Sequence, residues 1–170
     1  MSPSTERAAV AVRPLGDGDL DWMVTRNAEV YAAEFGWDES YGELVAGIVG
    51  DFGGRDDADR EAGWIAELDG DRAGCVLCCR RDENTAQLRI LLVEPSARGR
   101  GVGRALVDEC LAFARGAGYS SIVLWTNDVL AAARRIYEAV GFELVEESPH
   151  RSFGHDLVGQ VWRLELSDGS

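Results

Sequence analysis

The chain has 170 residues, 46% of them hydrophobic and 28% charged, which suits one globular domain and argues against general disorder or a fibrous repeat. Its 17 basic residues, all arginine, face 30 acidic ones for a net charge of −13. The missing lysines exclude a Walker-type phosphate loop and a lysine Schiff base, and so acidic a molecule repels nucleic acid unless its arginines gather on one face.

The first seven residues are polar, with no apolar run behind them. No apolar stretch approaches the roughly 18 residues of a membrane span, so the expectation is a cytoplasmic protein without membrane contact. Weak alternation over residues 8–15, closed by Arg13-Pro14, predicts a first strand. Gly16-Asp17-Gly18-Asp19 offers N-cap chemistry to a helix running toward Gly36, with Leu20, Met23, Val24, Val30, Tyr31 and Phe35 at helical spacing. A second helix over about 40–52 carries Leu44, Val45, Ile48 and Val49 on one face, and residues 53–59 predict a mobile surface loop.

The period then shortens. Residues 63–68, 73–79 and 86–93, joined by turns at 69–71 and 81–84, predict an antiparallel meander. A glycine-rich turn leads into an amphipathic helix over 102–117, whose buried positions would be Leu106, Cys110, Phe113 and Ala117. Residues 121–125 predict a strand parallel to the one before that helix, through a right-handed crossover. A helix over 130–140 stops at Gly141, and strands over 142–145 and 157–166 follow, joined by a loop over 148–156. Cys75 and Cys78 have the spacing of a metal or redox pair, but residues three apart on a strand face opposite sides. With Cys79 and Cys110 they are expected to be reduced and buried, and no metal is expected.

Charge is unevenly spread. Residues 1–70 hold 16 acids and 5 arginines, whereas residues 95–107 hold three arginines and no acid. Within that stretch, Arg98-Gly99-Arg100-Gly101-Val102-Gly103-Arg104 lets the backbone turn sharply, so that several N–H groups converge at the start of a helix. The dinucleotide fingerprint would need glycine where Arg104 stands. The residues leave open a pyrophosphate on some other ligand, or a structural turn with none.

The turn fits the pattern R/Q-x-x-G-x-G/A, and Asn127 followed by Tyr137-Glu-Ala-Val-Gly141-Phe142 supplies a second signature. On both, the chain resembles the GNAT N-acetyltransferases, which bind acetyl-CoA. Residues 86–166 more specifically resemble the acetyltransferase domain fused behind MarR-type winged-helix regulators, through LRILLVEPSARGRGVGRALVDEC, LWTNDVLAAARRIYEAVGF and SFGHDLVGQVWRL. No winged helix fits beside it in this chain.

The resemblance implies an α+β fold: a mixed, mostly antiparallel sheet of about seven strands with a splay between strands 4 and 5, flanked by about four helices. It would form a single domain over 1–170, with flexible ends at 1–7 and 167–170. Leu91, Leu92 and Val93 would offer backbone groups to the pantetheine arm, as to an added strand. Arg98, Gly99, Arg100, Gly101, Val102, Gly103 and Arg104 would hold the pyrophosphate. Asn127 would bond the pantetheine amide or cap the following helix, and Arg134 would reach the phosphates or stay solvated.

Tyr137 is implied as the acid that protonates the departing thiolate, and the Val93 N–H as the partner of the carbonyl oxygen. For the base, Gln87 stands near the position where some members carry glutamate; Glu34 and His155 are the candidates, and proton loss through water the alternative. Trp37, Tyr31 and Phe35, with the acids of residues 1–70, would make an aromatic, acidic cleft for a cationic amine. The expected activity is acetylation of a small cationic primary amine by direct attack on acetyl-CoA, as a metal-free, bacterial-type transferase. A non-catalytic acyl-CoA sensor is the second reading and a nucleotide-binding module the third. Apolar strand edges near 142–145 and 157–161 leave room for a homodimer.

Overall fold

The change from alternation to helical spacing near residue 16 marks the passage from the first strand, β1 (Val10–Pro14), to α1 (Asp19–Phe35). The structure, a computed structural model, describes residues 9–54 and 57–166. The expected flexible ends lie outside the described residues, as do positions 55 and 56 of the expected mobile loop. After α2 (Glu39–Gly53) come β2 (Ala62–Leu68), β3 (Asp71–Arg80) and β4 (Thr85–Val93), then α3 (Val102–Gly116), β5 (Ser121–Asn127) and α4 (Ala131–Val140). The chain closes with β6 (Glu143–Ser152) and β7 (His155–Glu165). One seven-stranded sheet results, in the order β1-β2-β3-β4-β5-β7-β6. β4 and β5 are parallel, bridged by α3, and the other pairs are antiparallel.

Each face of the sheet carries an apolar layer. On one, α3 buries Val102, Leu106, Val107, Cys110, Leu111 and Ala114. Phe113 and Ala117, expected there, are only half-buried, because the stripe centred on Leu106 and Cys110 passes to one side of them. On the other face, α1 and α2 bury Met23, Val30, Tyr31, Val45 and Val49 against Ile65, Cys75 and Leu77. Cys75 and Cys78 therefore lie in different layers, as the two-residue strand period requires. All four cysteines are buried.

The turn over residues 16–19 starts α1 as expected, through a glycine. Gly18, with φ of 80°, is the N-cap and makes no side-chain cap bond. Asp19 is fully buried instead, accepting from the Gly16 N–H at 2.6 Å, Arg13 at 2.6 Å and Arg72 at 2.8 Å. It ties β1, α1 and β3 together.

Two features position the site. β4 and β5 pair only from Thr85↔Ser121 to Leu88↔Leu124, then run on to Val93 and Asn127 without pairing. At the fork β4 bulges: its register with β3 shifts between Cys75 and Leu77, and Ile90 takes a φ of 60°. Positive φ at a β-branched residue is strained, and the bulge bends the strand away from its parallel neighbour.

The expected loop over 148–156 is a hairpin. β6 extends to Ser152, and Phe153 and Gly154, with φ of 58° and 83°, make the two-residue turn into β7. Phenylalanine in the first turn position hides the usual Asn-Gly or Gly-Gly signal. As an edge strand exposed along most of its length, β6 also lacks the alternation that marks a half-buried strand.

Candidate active site

The glycine turn after β4 builds the first part of the site. Gly99 and Gly101 have φ of 80° and 82°, and a Cβ at either would meet nothing within 4 Å, so they serve backbone conformation and leave open space. Gly101 caps α3 without a side-chain bond, leaving first-turn N–H groups aimed at that space. Gly103 serves close packing: a Cβ there would fall 2.6 Å from Ile136 Cδ1 of α4. Between this turn and α4 lies a cavity of about 710 Å³, walled by Leu91 and Val93 on one side and Ala131, Ala132 and Ala133 on the other. The alanines keep it wide.

Backbone direction divides the three β4 residues expected to meet a pantetheine arm. The Glu94 N–H bonds Ala73 O of β3 at 2.8 Å. By the alternation of an antiparallel ladder, Leu92 faces β3 as well, and Val93 turns its N–H and carbonyl toward the open side. Leu92, 1% exposed, packs in the α1–α2 layer. Leu91 and Val93 thus line the first cavity and Leu92 does not.

The arginines are less free than the sequence suggests. Arg98 meets Glu34 through two hydrogen bonds, of 2.7 and 2.6 Å, and Arg104 meets Asp108 at 3.1 Å. Arg100 is exposed and does not line the cavity, whereas Arg135, missed in the sequence, does. Arg134 donates to Asp128 O at 3.0 Å, clamping the turn between β5 and α4. Two of the three arginines in the stretch free of acids are therefore paired with carboxylates in space.

A second cavity of about 430 Å³ adjoins the first, sharing Tyr31, Leu91, Leu130 and Ala133 with it. Tyr137 lines it, 4% exposed, with its ring 5.6 Å from that of Phe142. Burial pushes its phenol well above the usual range, so it keeps its proton. Tyr31, Trp37, Tyr41 and Phe153 form one aromatic cluster at the far wall, with Tyr31 and Trp37 stacked at 5.3 Å. Phe35 stacks on Tyr31 but faces the first cavity. Leu44, expected to be buried, is exposed at this rim because Val45 and Val49 form the contact face of α2.

Neither expected base reaches the second cavity. Glu34 lines the first, and its bond to Arg98 holds its carboxyl below the usual range. His155 starts β7, exposed, with Nε2 on Gly36 O at 3.0 Å, where it ties the end of α1 to the β6–β7 hairpin. Gln87 does line the cavity, with Arg81 and Arg89. Among the described residues, none lining it carries a carboxylate. The acids expected around a cationic amine do not, among the described residues, line this cavity, and three of those on α1 meet arginines instead: Asp19 meets Arg13, Glu29 meets Arg26 and Glu34 meets Arg98.

Asn127 lines the second cavity, 3% exposed. Its Oδ1 meets His150 Nε2 at 2.8 Å, and His150 Nδ1 meets Ser152 Oγ at 2.9 Å. The Asn127 side chain does not cap α4; it is the Asn127 backbone carbonyl that accepts from Leu130 N–H at 3.0 Å. His150, its ring 5.3 Å from that of Trp125, was not legible as a partner, since β6 was expected to end before it.

A profile of the acetyltransferase (GNAT) family matches residues 20–142. N-acetylaspartate synthetase of Danio rerio is 40% identical over 86 residues, which are 50% of this chain and 30% of that protein. Mycothiol acetyltransferase of Beutenbergia cavernae is 36% identical over 93 residues, 54% of this chain and 31% of that one. The chain thus spans about a third of the length of these curated relatives. Among solved structures, an acetyltransferase-fold protein of Salmonella typhimurium with its cofactor acetyl-CoA superimposes with a TM-score of 0.75 at 19% identity, covering 94% of this chain and 95% of that one. The ribosomal-protein-alanine N-acetyltransferase of Brucella melitensis gives 0.74 at 20%, covering 92% and 99%. At such identities these two show the fold alone.

Proposed function

Because the chain belongs to the acetyltransferase (GNAT) family, we propose that it transfers the acetyl group of acetyl-CoA to a primary amine, with the cofactor in the first cavity and the acceptor in the second. The observation that carries this is the junction of the two cavities at the β4–β5 fork, with Tyr137 lining the second of them. Acetyl-CoA when bound supplies an activated thioester: the amine nitrogen forms a bond to its carbonyl carbon as the C–S bond breaks. The first-turn N–H groups of α3, with Arg98, Arg104 and Arg135, hold the pyrophosphate. Leu91 and Val93 bond the pantetheine arm as an added strand, and the Val93 N–H meets the charge that grows on the carbonyl oxygen. With Oδ1 held by His150, Asn127 turns its amide N–H toward the arm.

Tyr137 gives its proton to the departing thiolate. Among the described residues no carboxylate or imidazole lines the acceptor cavity, so the amine gives up its proton to water. Thiol release from acetyl-CoA, measured over a panel of amines, tests the activity. Tyr137→Phe is expected to lower kcat by roughly 10²-fold or more and to leave acetyl-CoA affinity within a few-fold. As pH rises, kcat/KM should climb until the amine is neutral, without a falling limb before pH 10, since burial keeps the Tyr137 phenol protonated. The regulator-fused domains that residues 86–166 resemble supply the opposing outcome: acetyl-CoA binding with no turnover of any amine would make the protein a sensor. An unchanged kcat in Tyr137→Phe would remove that residue from the mechanism.

A further inference from the structure

Arg89 stands at the fork itself. The last β4–β5 pair is Leu88↔Leu124, and Arg89 is the next residue, half-buried in the wall of the acceptor cavity. Its neighbours there are largely apolar or aromatic, among them Trp37, Tyr41, Ile48 and Phe153. In a chain with 30 acidic residues, an arginine in such a wall would be expected to have drawn a carboxylate. Arg13, Arg26, Arg72, Arg80, Arg98 and Arg104 all have one. Among the described residues Arg89 forms no ion pair, and no lining residue supplies one. Arg81 also lines the cavity, from the exposed β3–β4 turn. Its field reaches Asp82, whose Oδ1 is itself held by the N–H groups of Asn84 and Thr85.

A guanidinium fixed beside apolar walls is poorly solvated and gains most from a planar anion that can bond it twice. We propose that the acceptor is an aminocarboxylate: a small molecule bearing a carboxylate close to its reactive amine and an apolar or aromatic body. Arg89 binds the carboxylate, with Arg81 at the mouth, and the aromatic cluster packs the body. The distance fits. Strands rise about 3.3 Å per residue, so a carboxylate on Arg89 leaves a neighbouring amine a few ångströms from Leu91, where the two cavities meet. This inference rests on the proposed acetyl transfer for its account of what the ligand does, but the binding site can be tested without turnover.

Calorimetry on the protein saturated with CoA, using leucine, methionine, phenylalanine and tryptophan against their amides and decarboxylated amines, provides that test. At least one acid should bind roughly 10- to 100-fold more tightly than its amide, the range of a charge-assisted hydrogen bond. Arg89→Ala should abolish the difference, Arg89→Lys should restore part of it, and CoA affinity should stay unchanged in both. The kcat/KM ratio between acid and amide should follow the same order. Equal binding of acid and amide, binding of neither, preference for the decarboxylated amine, or a preference that survives Arg89→Ala overturns the proposal. Discrimination in binding with no turnover of any amine would instead defeat the acetyltransferase reading and leave the carboxylate site standing.

Discussion

Glu34 and Arg98 share two short hydrogen bonds across the mouth of the cofactor cavity, and that pairing limits what either can do alone. An aspartate or glutamate acts as a base at neutral pH when its pKa is raised toward 7, whereas Arg98 holds the Glu34 carboxyl below its usual range. Glu34 is placed instead as a stand-in anion, occupying the guanidinium that a phosphate would otherwise meet. Glu34→Gln should therefore tighten acetyl-CoA binding by roughly 2- to 5-fold, the worth of a half-exposed ion pair, with kcat at saturating acetyl-CoA kept within about two-fold. Loss of kcat by 10²-fold, the scale of a lost base, with unchanged affinity would restore Glu34 as the base. Titration calorimetry beside steady-state kinetics separates the two outcomes. Arg98 was legible from its place in the glycine turn, since that pattern is local. Its partner was not, because Glu34 lies on α1 and only the packing of α1 beside the fork brings them together. Arg134 and Arg135 show the same limit: adjacent in sequence, they part on α4, Arg134 bonding Asp128 O and Arg135 lining the cofactor cavity.

β4 illustrates how an element's place can be legible while its shape is not. Its apolar run and the glycine turn after it predict a strand entering a helix. Nothing in Leu88-Arg89-Ile90-Leu91 predicts the bulge, since isoleucine is a poor residue for positive φ. The bulge is stabilised from across the sheet, where the Cys75 thiol donates to Ile90 O at 3.3 Å, and from Gly74 beside it. A Cβ on Gly74 would fall 2.5 Å from Leu92 O, 3.0 Å from Leu106 Cδ1 and 3.1 Å from Val102 Cγ1. The first of these is backbone and cannot step aside. Gly74→Ala should push β4 from β3 and lift the start of α3, costing about 1–3 kcal/mol and weakening acetyl-CoA binding. Gly47→Ala, inside α2 with nothing within 4 Å of the added methyl, is the matched control and should stabilise by about 0.5–1 kcal/mol. Urea unfolding with acetyl-CoA calorimetry compares them; equal effects of the two substitutions would remove Gly74 from the account of the fork. The β6–β7 hairpin failed to show in sequence for a related reason. Phe153 accepts its turn conformation because its ring is buried against Trp37 and Tyr41, which no local pattern records.

The charge of −13 acts on the whole molecule through the way its carboxylates are held. The order of elements and the division of apolar residues into two layers followed from periodicity, because burial on a helix or strand repeats locally. The ion pairs that join those layers span distant segments and stayed hidden. Asp19 is the most buried of them, joining β1, α1 and β3 through Arg13, the Gly16 N–H and Arg72. The Arg13 hydrogen bond is the main cause that lowers its pKa from 3.8 to about 2, against the opposing effect of burial. Glu34, Asp38 and Asp82 are lowered too, by Arg98, by Ser40 and by the Asn84 N–H respectively. A carboxylate whose pKa is depressed in the folded state binds fewer protons there than in the unfolded chain, so stability falls as protons are added. For Asp19 the contribution, about 2 kcal/mol, is complete above pH 3.8 and lost as pH falls through about 2. Stability from chemical unfolding should therefore be nearly level from pH 5 to 8 and drop steeply below 4. Asp19→Asn leaves Arg13 and Arg72 facing a neutral group, so it should cost roughly 2–4 kcal/mol at pH 7 and flatten the drop between pH 4 and 2. If the variant matched the native protein at pH 7 and unfolded at the same acid midpoint, the tie between β1, α1 and β3 would have to be carried by the apolar layers alone.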